Sequence, residues 1–315
     1  MKNNLNNCYY SNSHIFYNII IIFFDYQDFC KIKLPKVSVF LPIYNKGFYI
    51  NRSINSIQKQ TMKDIEIVAV NDGSTDYSLK ILKQLSKNDN RIKIINNDRN
   101  HGLLYSRAMG IINSSGEYVM NLDPDDKLEG KNNLAVLYYY SKKLNLDFLR
   151  FLHKRIPKNH LEINFCKSLD KKQLKGQDFW ITNKFIKRKV IMKAYNDFKN
   201  KIYLYKWNYH EDNIWSKLIK KYSNSTFIYQ KYIYLILRNN KSLMSKIKSN
   251  KIEIRNRLYR LETYSELNLV NLMFIKKELK FFKRTIQVPS YSIDKELRKK
   301  IIRLYYKYIN LMNKI

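Results

Sequence analysis

The sequence predicts an α/β fold, with an open, mostly parallel sheet flanked by helices and a helical C-terminal extension. Four short β-branched or apolar runs carry that prediction: Val37–Ile43, Ile65–Val70, Ile92–Ile95 and Tyr118–Leu122. Each is bounded by polar or turn-forming residues and reads as a buried strand. Their starts recur at roughly 30 residues, the length of a strand–helix–strand unit with a right-handed crossover. Segments with helical spacing lie between them, such as Leu79, Leu82 and Leu85 after Asp76, or Leu103–Ile112 opening after Gly102. The resulting order, βαβαβαβ, calls for a parallel sheet covered by helices.

Three regions follow from the same pass. Residues 1–35 form a partly apolar, Asn-rich extension, residues 36–248 the α/β domain, and residues 249–315 a basic, amphipathic helical region. The apolar run Ile15–Phe24 is interrupted by Asn18 and is about half the roughly 20 residues that a membrane-spanning helix needs. Only Lys2 precedes it and no small-residue cleavage site follows, so neither a spanning helix nor export is expected. Near the C-terminus Leu297, Ile301, Leu304, Tyr305, Tyr308 and Met312 share one helical face, while Arg298, Lys299, Lys300, Arg303 and Lys307 occupy the rest. This reads as a helix capping the α/β domain; peripheral contact with an anionic membrane is the second reading.

The chain has 315 residues, of which 45% are hydrophobic, enough to bury a sizeable core. Lys and Arg number 59 against 26 Asp and Glu, a formal charge of +33 that would suit nucleic acid, anionic lipid or phosphate-bearing substrates. The excess is spread along the whole length without a reading motif, so no specific nucleic-acid partner is expected. Cys8, Cys30 and Cys166 show neither zinc nor disulfide spacing, which favours a reducing, cytoplasmic location.

Open α/β sheets bind ligands beyond the carboxyl ends of their strands, and three polar clusters fall there. The first strand ends in Pro42-Ile43-Tyr44-Asn45, the second in Asn71-Asp72-Gly73-Ser74-Thr75-Asp76, the fourth in Asp123-Pro124-Asp125-Asp126. Asp123 and Asp125, two residues apart on an extended turn, suit one hard cation, Mg²⁺ or Mn²⁺, whose shell a substrate diphosphate completes. An ordinary acidic turn is the plain alternative. Three carboxylates delivered by a buried strand would repel one another unless a cation or basic groups compensate, and that favours metal binding. Asp72 and Gly73 give a tight exit turn with a carboxylate able to accept from a ribose or base. Neither G-x-G-x-x-G nor a Walker pattern occurs among the seven glycines, so a metal rather than a backbone cradle would neutralise phosphate.

Taken in order, Val39-Phe40-Leu41-Pro42-Ile43-Tyr44-Asn45, Val70-Asn71-Asp72-Gly73-Ser74-Thr75-Asp76 and Asn121-Leu122-Asp123-Pro124-Asp125-Asp126 resemble family 2 glycosyltransferases. The helix beginning His101-Gly102-Leu103-Leu104-Tyr105-Ser106-Arg107 is similar to that family's N-x-G-L…A-R-N-x-G segment, with Ala108 where the family has Asn. Tyr209-His210-Glu211-Asp212-Asn213-Ile214-Trp215 matches its E-D motif at a helix start. The resemblance implies the GT-A fold and an inverting, hexosyltransferase-class transfer from a nucleotide-sugar, a UDP-sugar being favoured. It implies that Pro42, Tyr44, Asp72, Arg107 and Asp123 hold the nucleotide-sugar. Asp123 and Asp125 would hold Mn²⁺ or Mg²⁺, with Asp126 as a further partner of the cation. Asp212 would be the general base, and Glu211 a secondary catalytic candidate. The acceptor would be a glycan, a lipid-linked or another hydroxyl compound, as in polysaccharide or glycolipid synthesis.

Trp180, Trp207 and Trp215 have the chemistry to stack on a sugar ring, although large aromatics also pack cores. Tyr232–Arg238 and the following Ser-containing loop look like the family's closing strand and donor flap, with Arg238 or Lys241 near phosphate. Two other classes stand beside the enzyme: a basic nucleic-acid-binding protein, and a catalytically inactive scaffold. The first leaves carboxylates at three strand ends unexplained, and the second leaves Asp72, Asp123, Asp125 and Asp212 retained together without a purpose. A sugar-1-phosphate nucleotidyltransferase would want a Gly-rich loop where the chain has Tyr44-Asn45-Lys46-Gly47.

Overall fold

The computed structural model describes residues 34–156, 180–202, 211–237, 257, 258, 261, 272–287 and 295–312. In chain order the elements are β1 (Val37–Ile43), α1 (Gly47–Gln58), β2 (Ile65–Asn71), α2 (Ser78–Asn88), β3 (Ile92–Asn96), α3 (Leu103–Ile112), β4 (Tyr118–Asn121), β5 (Lys127–Leu128), α4 (Asn133–Lys143), β6 (Phe148–Ile156), β7 (Lys184–Lys187), α5 (Arg188–Ile202), α6 (Glu211–Lys221), β8 (Thr226–Leu237), α7 (Leu272–Gln287) and α8 (Lys295–Met312). Residues 1–33 with Cys8 and Cys30, Cys166, Trp207, His210, Arg238 and Lys241 lie outside the described residues.

The strands form one sheet in the order β3-β2-β1-β4-β7-β6-β8-β5. The four strands read from the sequence pair in parallel, with Val37 opposite Ile65 and Tyr118, and Ile67 opposite Ile92. β3 differs from its expected full burial: only Ile92 is buried, because this strand has a neighbour on one side alone. The other half of the sheet is mixed. β7 runs antiparallel between β4 and β6, β6 pairs in parallel with β8, and β5 closes the far edge antiparallel to β8.

Period-2 alternation along β1 sends its side chains to two cores. Val37, Val39, Leu41 and Ile43 pack with Ile50, Ile54 and Ile57 of α1, Leu82 of α2 and Leu134 of α4. Phe40 faces the opposite layer with Leu104, Ala108 and Ile111 of α3, Phe198 of α5 and Trp215 of α6. Each such aliphatic side chain contributes about 1.5–3 kcal/mol on burial. Gly110 lets α3 close on the sheet, since a Cβ there would lie 2.5 Å from the Phe40 ring. These contacts bring the first turn of α3 and the carboxyl ends of β1, β2 and β4 to one rim.

In the C-terminal region Leu297, Ile301 and Tyr308 of α8 are buried with Ile275, Leu279 and Phe282 of α7. Leu304 and Tyr305 of the same stripe are partly buried against this cluster, and Arg298, Lys299, Lys300, Arg303 and Lys307 are exposed. Among the described residues, no helix is long and apolar enough to cross a membrane.

Candidate functional site

One wall of the rim is a pair of loops stitched together. Asn45 adopts a left-handed φ of 51°, which Asn tolerates because its side chain bonds locally. Its Oδ1 accepts from the Thr75 N–H at 2.8 Å and its own N–H donates to Ser74 Oγ at 3.0 Å. Lys46 N–H donates to Ser78 Oγ and Gly47 N–H to Asp76 Oδ2, both at 3.0 Å. The Asn71–Asp76 motif thus fixes the β1 exit, and leaves Tyr44 projecting at 41% exposure. Pro42 is buried in β1 just beyond the last β4 pairing, Phe40 with Asn121, where a missing N–H costs that ladder nothing.

Asp72 is only 2% exposed. Its Oδ1 accepts from Asn97 Nδ2 at 2.9 Å and from the His101 N–H at 3.0 Å, and its Oδ2 from the Gly102 N–H at 2.8 Å. The carboxylate therefore ties the β2 exit to the loop that starts α3. Gly73, at φ 61°, is required there, because a Cβ would fall 2.4 Å from the Arg99 backbone.

Arg107 of α3, 1% exposed, is the hub of the site. Its Nε donates to Asn121 Oδ1 at 3.2 Å and its Nη2 to Asp123 Oδ1 at 3.2 Å. Its Nη1 reaches Glu211 Oε1 and Asp212 Oδ1, each at 2.5 Å. One guanidinium thereby joins the end of β4 to the first turn of α6. Burial works against its charge, but Asp212, Asp123 and Glu211 more than offset this and raise its pKa. Glu211 is buried, with Oε2 lacking a hydrogen-bond partner among the described residues. Burial pushes its pKa up to about 8, because Arg107 is shared with two other carboxylates and cannot compensate fully. Asp212 is also shifted upward by burial, opposed by Arg107, but its side chain keeps 27% exposure. It accepts from the Ile181 N–H and lies near Lys184, whose Nζ is held by the Trp180 carbonyl at 2.6 Å.

Beyond β4, Asn121 Nδ2 donates to Asp123 Oδ1 at 3.0 Å, so both Arg107 and Asn121 use that oxygen and leave Oδ2 clear of them. The Asp123 N–H donates to Tyr234 Oη at 2.9 Å. Asp125 Oδ2 is paired with Lys46 Nζ at 2.6 Å, and the Asp125 carbonyl accepts from Arg52 Nη2 at 2.7 Å. Asp126 turns inward: its Oδ1 accepts the Leu237 N–H at 2.9 Å, and burial, then Asp123 and Asp125, push its pKa up to about 8. Among the described residues no group of three or more acidic, His or Cys side chains could hold a metal. Asp123 and Asp125 alone would supply two hard oxygen ligands, which fits a Mg²⁺ or Mn²⁺ ion whose remaining ligands come from phosphate and water.

The structure brings Arg107, Asp123, Glu211 and Asp212 into one cluster, with Asp125 on the same turn as Asp123 and Tyr44 on the β1 exit. Asp72 and Asp126 stand behind the rim, engaged with backbone. Trp215 is fully buried, edge-on to Phe198 at 6.2 Å, and so does not stack on a sugar. Trp180 stacks on His153 at 5.0 Å and 16°. Sequence reasoning missed Lys46, Arg52, Asn97, Asn121, Lys184 and Tyr234 as site residues. Lys46, Arg52, Asn97 and Tyr234 act on partners 25 to 111 residues away, a pairing that no local spacing signals, while Asn121 and Lys184 also bond to near neighbours at Asp123 and Trp180.

Residues 38–194 match the family model described as Glycosyl transferase family 2. An uncharacterized glycosyltransferase of Haemophilus influenzae is 47% identical over 92 residues, 29% of this chain and 28% of that protein. The GalNAc(5)-diNAcBac-PP-undecaprenol beta-1,3-glucosyltransferase of Campylobacter jejuni is 38% identical over 96 residues, 30% of this chain and 31% of that protein. The matched stretches thus span about a third or less of these two relatives. Among solved structures, S. aureus TarS in complex with UDP-GlcNAc superposes with a TM-score of 0.61 at 20% identity, over 85% of this chain and 79% of that one. The mannosyltransferase PcManGT of Pyrobaculum calidifontis, in complex with GDP-Man and Mn²⁺, gives 0.53 at 11% identity, over 90% and 89%. At these identities the two structures establish a shared fold.

Proposed function

The chain belongs, through residues 38–194, to glycosyl transferase family 2, and on that premise we propose that it transfers a sugar from a nucleoside-diphosphate sugar to a hydroxyl acceptor, with inversion. The observation that supports this most is the Arg107 hub, which joins Asp123 at the end of β4 to Asp212 at the start of α6. A carboxylate for the donor side and one for the acceptor side are thereby held by a single buried cation.

In the proposed reaction the acceptor hydroxyl attacks the anomeric carbon, its proton passes to Asp212, and the bond to the diphosphate breaks with the electron pair leaving on the phosphate. Asp212 suits the base role because it is partly exposed and its pKa is raised toward neutrality, which increases its appetite for the proton. Glu211 is buried and bonded to Arg107, and we assign it to orienting that guanidinium. Arg107 and Asp72 are proposed to act from behind: Arg107 by holding Asp123 and Asp212, Asp72 by shaping the loop that carries His101 and Gly102. Tyr44, beyond Pro42, is proposed to face the nucleoside. Asp123 and Asp125 would hold Mn²⁺ or Mg²⁺, which supplies positive charge to the departing diphosphate when bound.

A UDP-sugar is the donor proposed, and a glycan or lipid-linked hydroxyl compound the acceptor class. The name of the C. jejuni relative, which carries an undecaprenol diphosphate, supports the lipid-linked member of that class. We place the reaction in the cytoplasm. Any peripheral membrane contact would be electrostatic and run through the basic side of α8, because its apolar side is buried.

The test is release of nucleoside diphosphate from panels of UDP- and GDP-sugars with Mn²⁺ and lipid-linked or glycan acceptors. Asp212→Asn should lower turnover by about 10²–10⁴-fold while nucleotide affinity stays within about threefold, roughly 0.7 kcal/mol. Wild-type turnover in Asp212→Asn would refute the assignment of the base, and release from GDP-sugars alone would replace the proposed donor.

A further inference from the structure

Lys46 holds the carboxylate that a cation would need. Its Nζ lies 2.6 Å from Asp125 Oδ2, with the two side chains 15% and 16% exposed. This is not a loose surface contact. The Lys46 backbone is pinned by Ser78, its neighbours Asn45 and Gly47 are pinned by Thr75 and Asp76, and Arg52 grips the Asp125 carbonyl at 2.7 Å. Lys46 and Arg52 both sit over the Tyr49 ring, at 5.7 and 5.5 Å. The loop thus presents a preorganised ammonium to one oxygen of Asp125, where a divalent ion would otherwise bind.

We propose that Lys46 is an exchangeable counter-cation of Asp125: it neutralises the carboxylate when no donor is bound and competes with the divalent cation for it. The inference rests on the reading of Asp125 as a cation ligand. A divalent ion on that carboxylate would lie within a few ångströms of the ammonium, and repulsion between the two cations disfavours metal binding until the pair opens. Lysine suits this exchange because its charge sits on a flexible four-carbon stem, free to swing to another anion. The incoming diphosphate is such an anion, and by drawing the ammonium away it lowers the cost of metal binding at Asp125. Donor and metal then bind with positive coupling, and linkage makes that coupling reciprocal. The device would keep the cation from settling on the site before a donor is there to be ionised.

Mn²⁺ binding by the full-length protein, followed by the electron paramagnetic resonance of free Mn²⁺, tests this without any turnover. Wild type, Lys46→Gln, Lys46→Arg and Asp125→Asn are titrated with and without UDP. Lys46→Gln should bind Mn²⁺ alone on the order of tenfold more tightly than wild type, the gain that loss of one partly buried charged competitor gives. UDP should tighten Mn²⁺ less in Lys46→Gln than in wild type. Lys46→Arg, which keeps a cation on the loop, should stay near wild type and control for loop integrity. Equal or weaker Mn²⁺ affinity in Lys46→Gln, with loss in Asp125→Asn, overturns the role of Lys46 and leaves Asp125 as a cation ligand. No Mn²⁺ binding by wild type or Lys46→Gln, even with UDP, overturns both.

Discussion

Replacing Arg107 by Met should cost the fold about 3–5 kcal/mol at pH 8, the range for removing one partner of a buried ion pair. The guanidinium is 1% exposed, and three carboxylates depend on it: Glu211 and Asp212 at 2.5 Å and Asp123 at 3.2 Å. Without it they face one another, and two unit charges 4 Å apart at an effective dielectric of about 20 repel by about 4 kcal/mol. The folded variant can respond only by taking up protons. The Glu211 and Asp212 carboxyls, already shifted upward by burial, are pushed further up, whereas in the unfolded chain such groups stay near about 4. Above that pH the folded state binds more protons than the unfolded state, so its stability falls as pH rises. Urea unfolding at pH 5.5 and pH 8 measures the effect. The deficit of Arg107→Met relative to wild type should be clearly larger at pH 8, and Arg107→Lys, which keeps the charge but loses the fork, should fall between the two. A deficit under about 1 kcal/mol at pH 8, or one of equal size at both pH values, would refute the hub.

Three further outcomes follow from the same contacts. Asp72→Ala leaves the His101 and Gly102 N–H groups without their acceptor and should lower stability by about 1–3 kcal/mol, together with nucleotide affinity; thermal melts and calorimetry check both. Glu211, with a pKa about 8 against an unfolded value of 4.5, holds an extra proton only in the folded state between those limits. Wild-type stability through this group should therefore fall from about pH 5 toward pH 8, by at most about 1.4 kcal/mol per pH unit. Glu211→Gln should flatten that slope in melting curves taken across the range. Gly110→Ala drives a methyl into the Phe40 ring and should destabilise by about 1–3 kcal/mol, read from the urea midpoint, without changing which nucleotide binds.

Much of the sheet was legible because its signals are local. The runs beginning at Val37, Ile65, Ile92 and Tyr118 carry their own burial pattern, and the apolar spacing after Asp76 and Gly102 places α2 and α3 where they occur. The strand-end clusters were legible for the same reason, since parallel topology sends those ends to one rim. What could not be read are pairings between residues far apart in the chain. Lys46 and Asp125 are 79 residues apart, and Arg107 and Asp212 are 105 apart, so no periodicity links them. The backbone partners of Asp72 and Asp126, the N–H groups at 101, 102 and 237, were equally out of reach of any local pattern. The antiparallel insertion of β7 also escaped, because the lengths of the connections around it do not specify strand direction.

The central claim is that the rim at Asp123 and Asp125 binds a nucleoside diphosphate with a divalent cation. Calorimetric binding of UDP and of GDP, with and without Mn²⁺, to wild type and to Asp125→Ala tests it most directly. The account predicts that UDP binds in the presence of Mn²⁺ and that this binding is lost in the variant. Absence of binding by either nucleotide under every condition, or equal binding by wild type and variant, would contradict it.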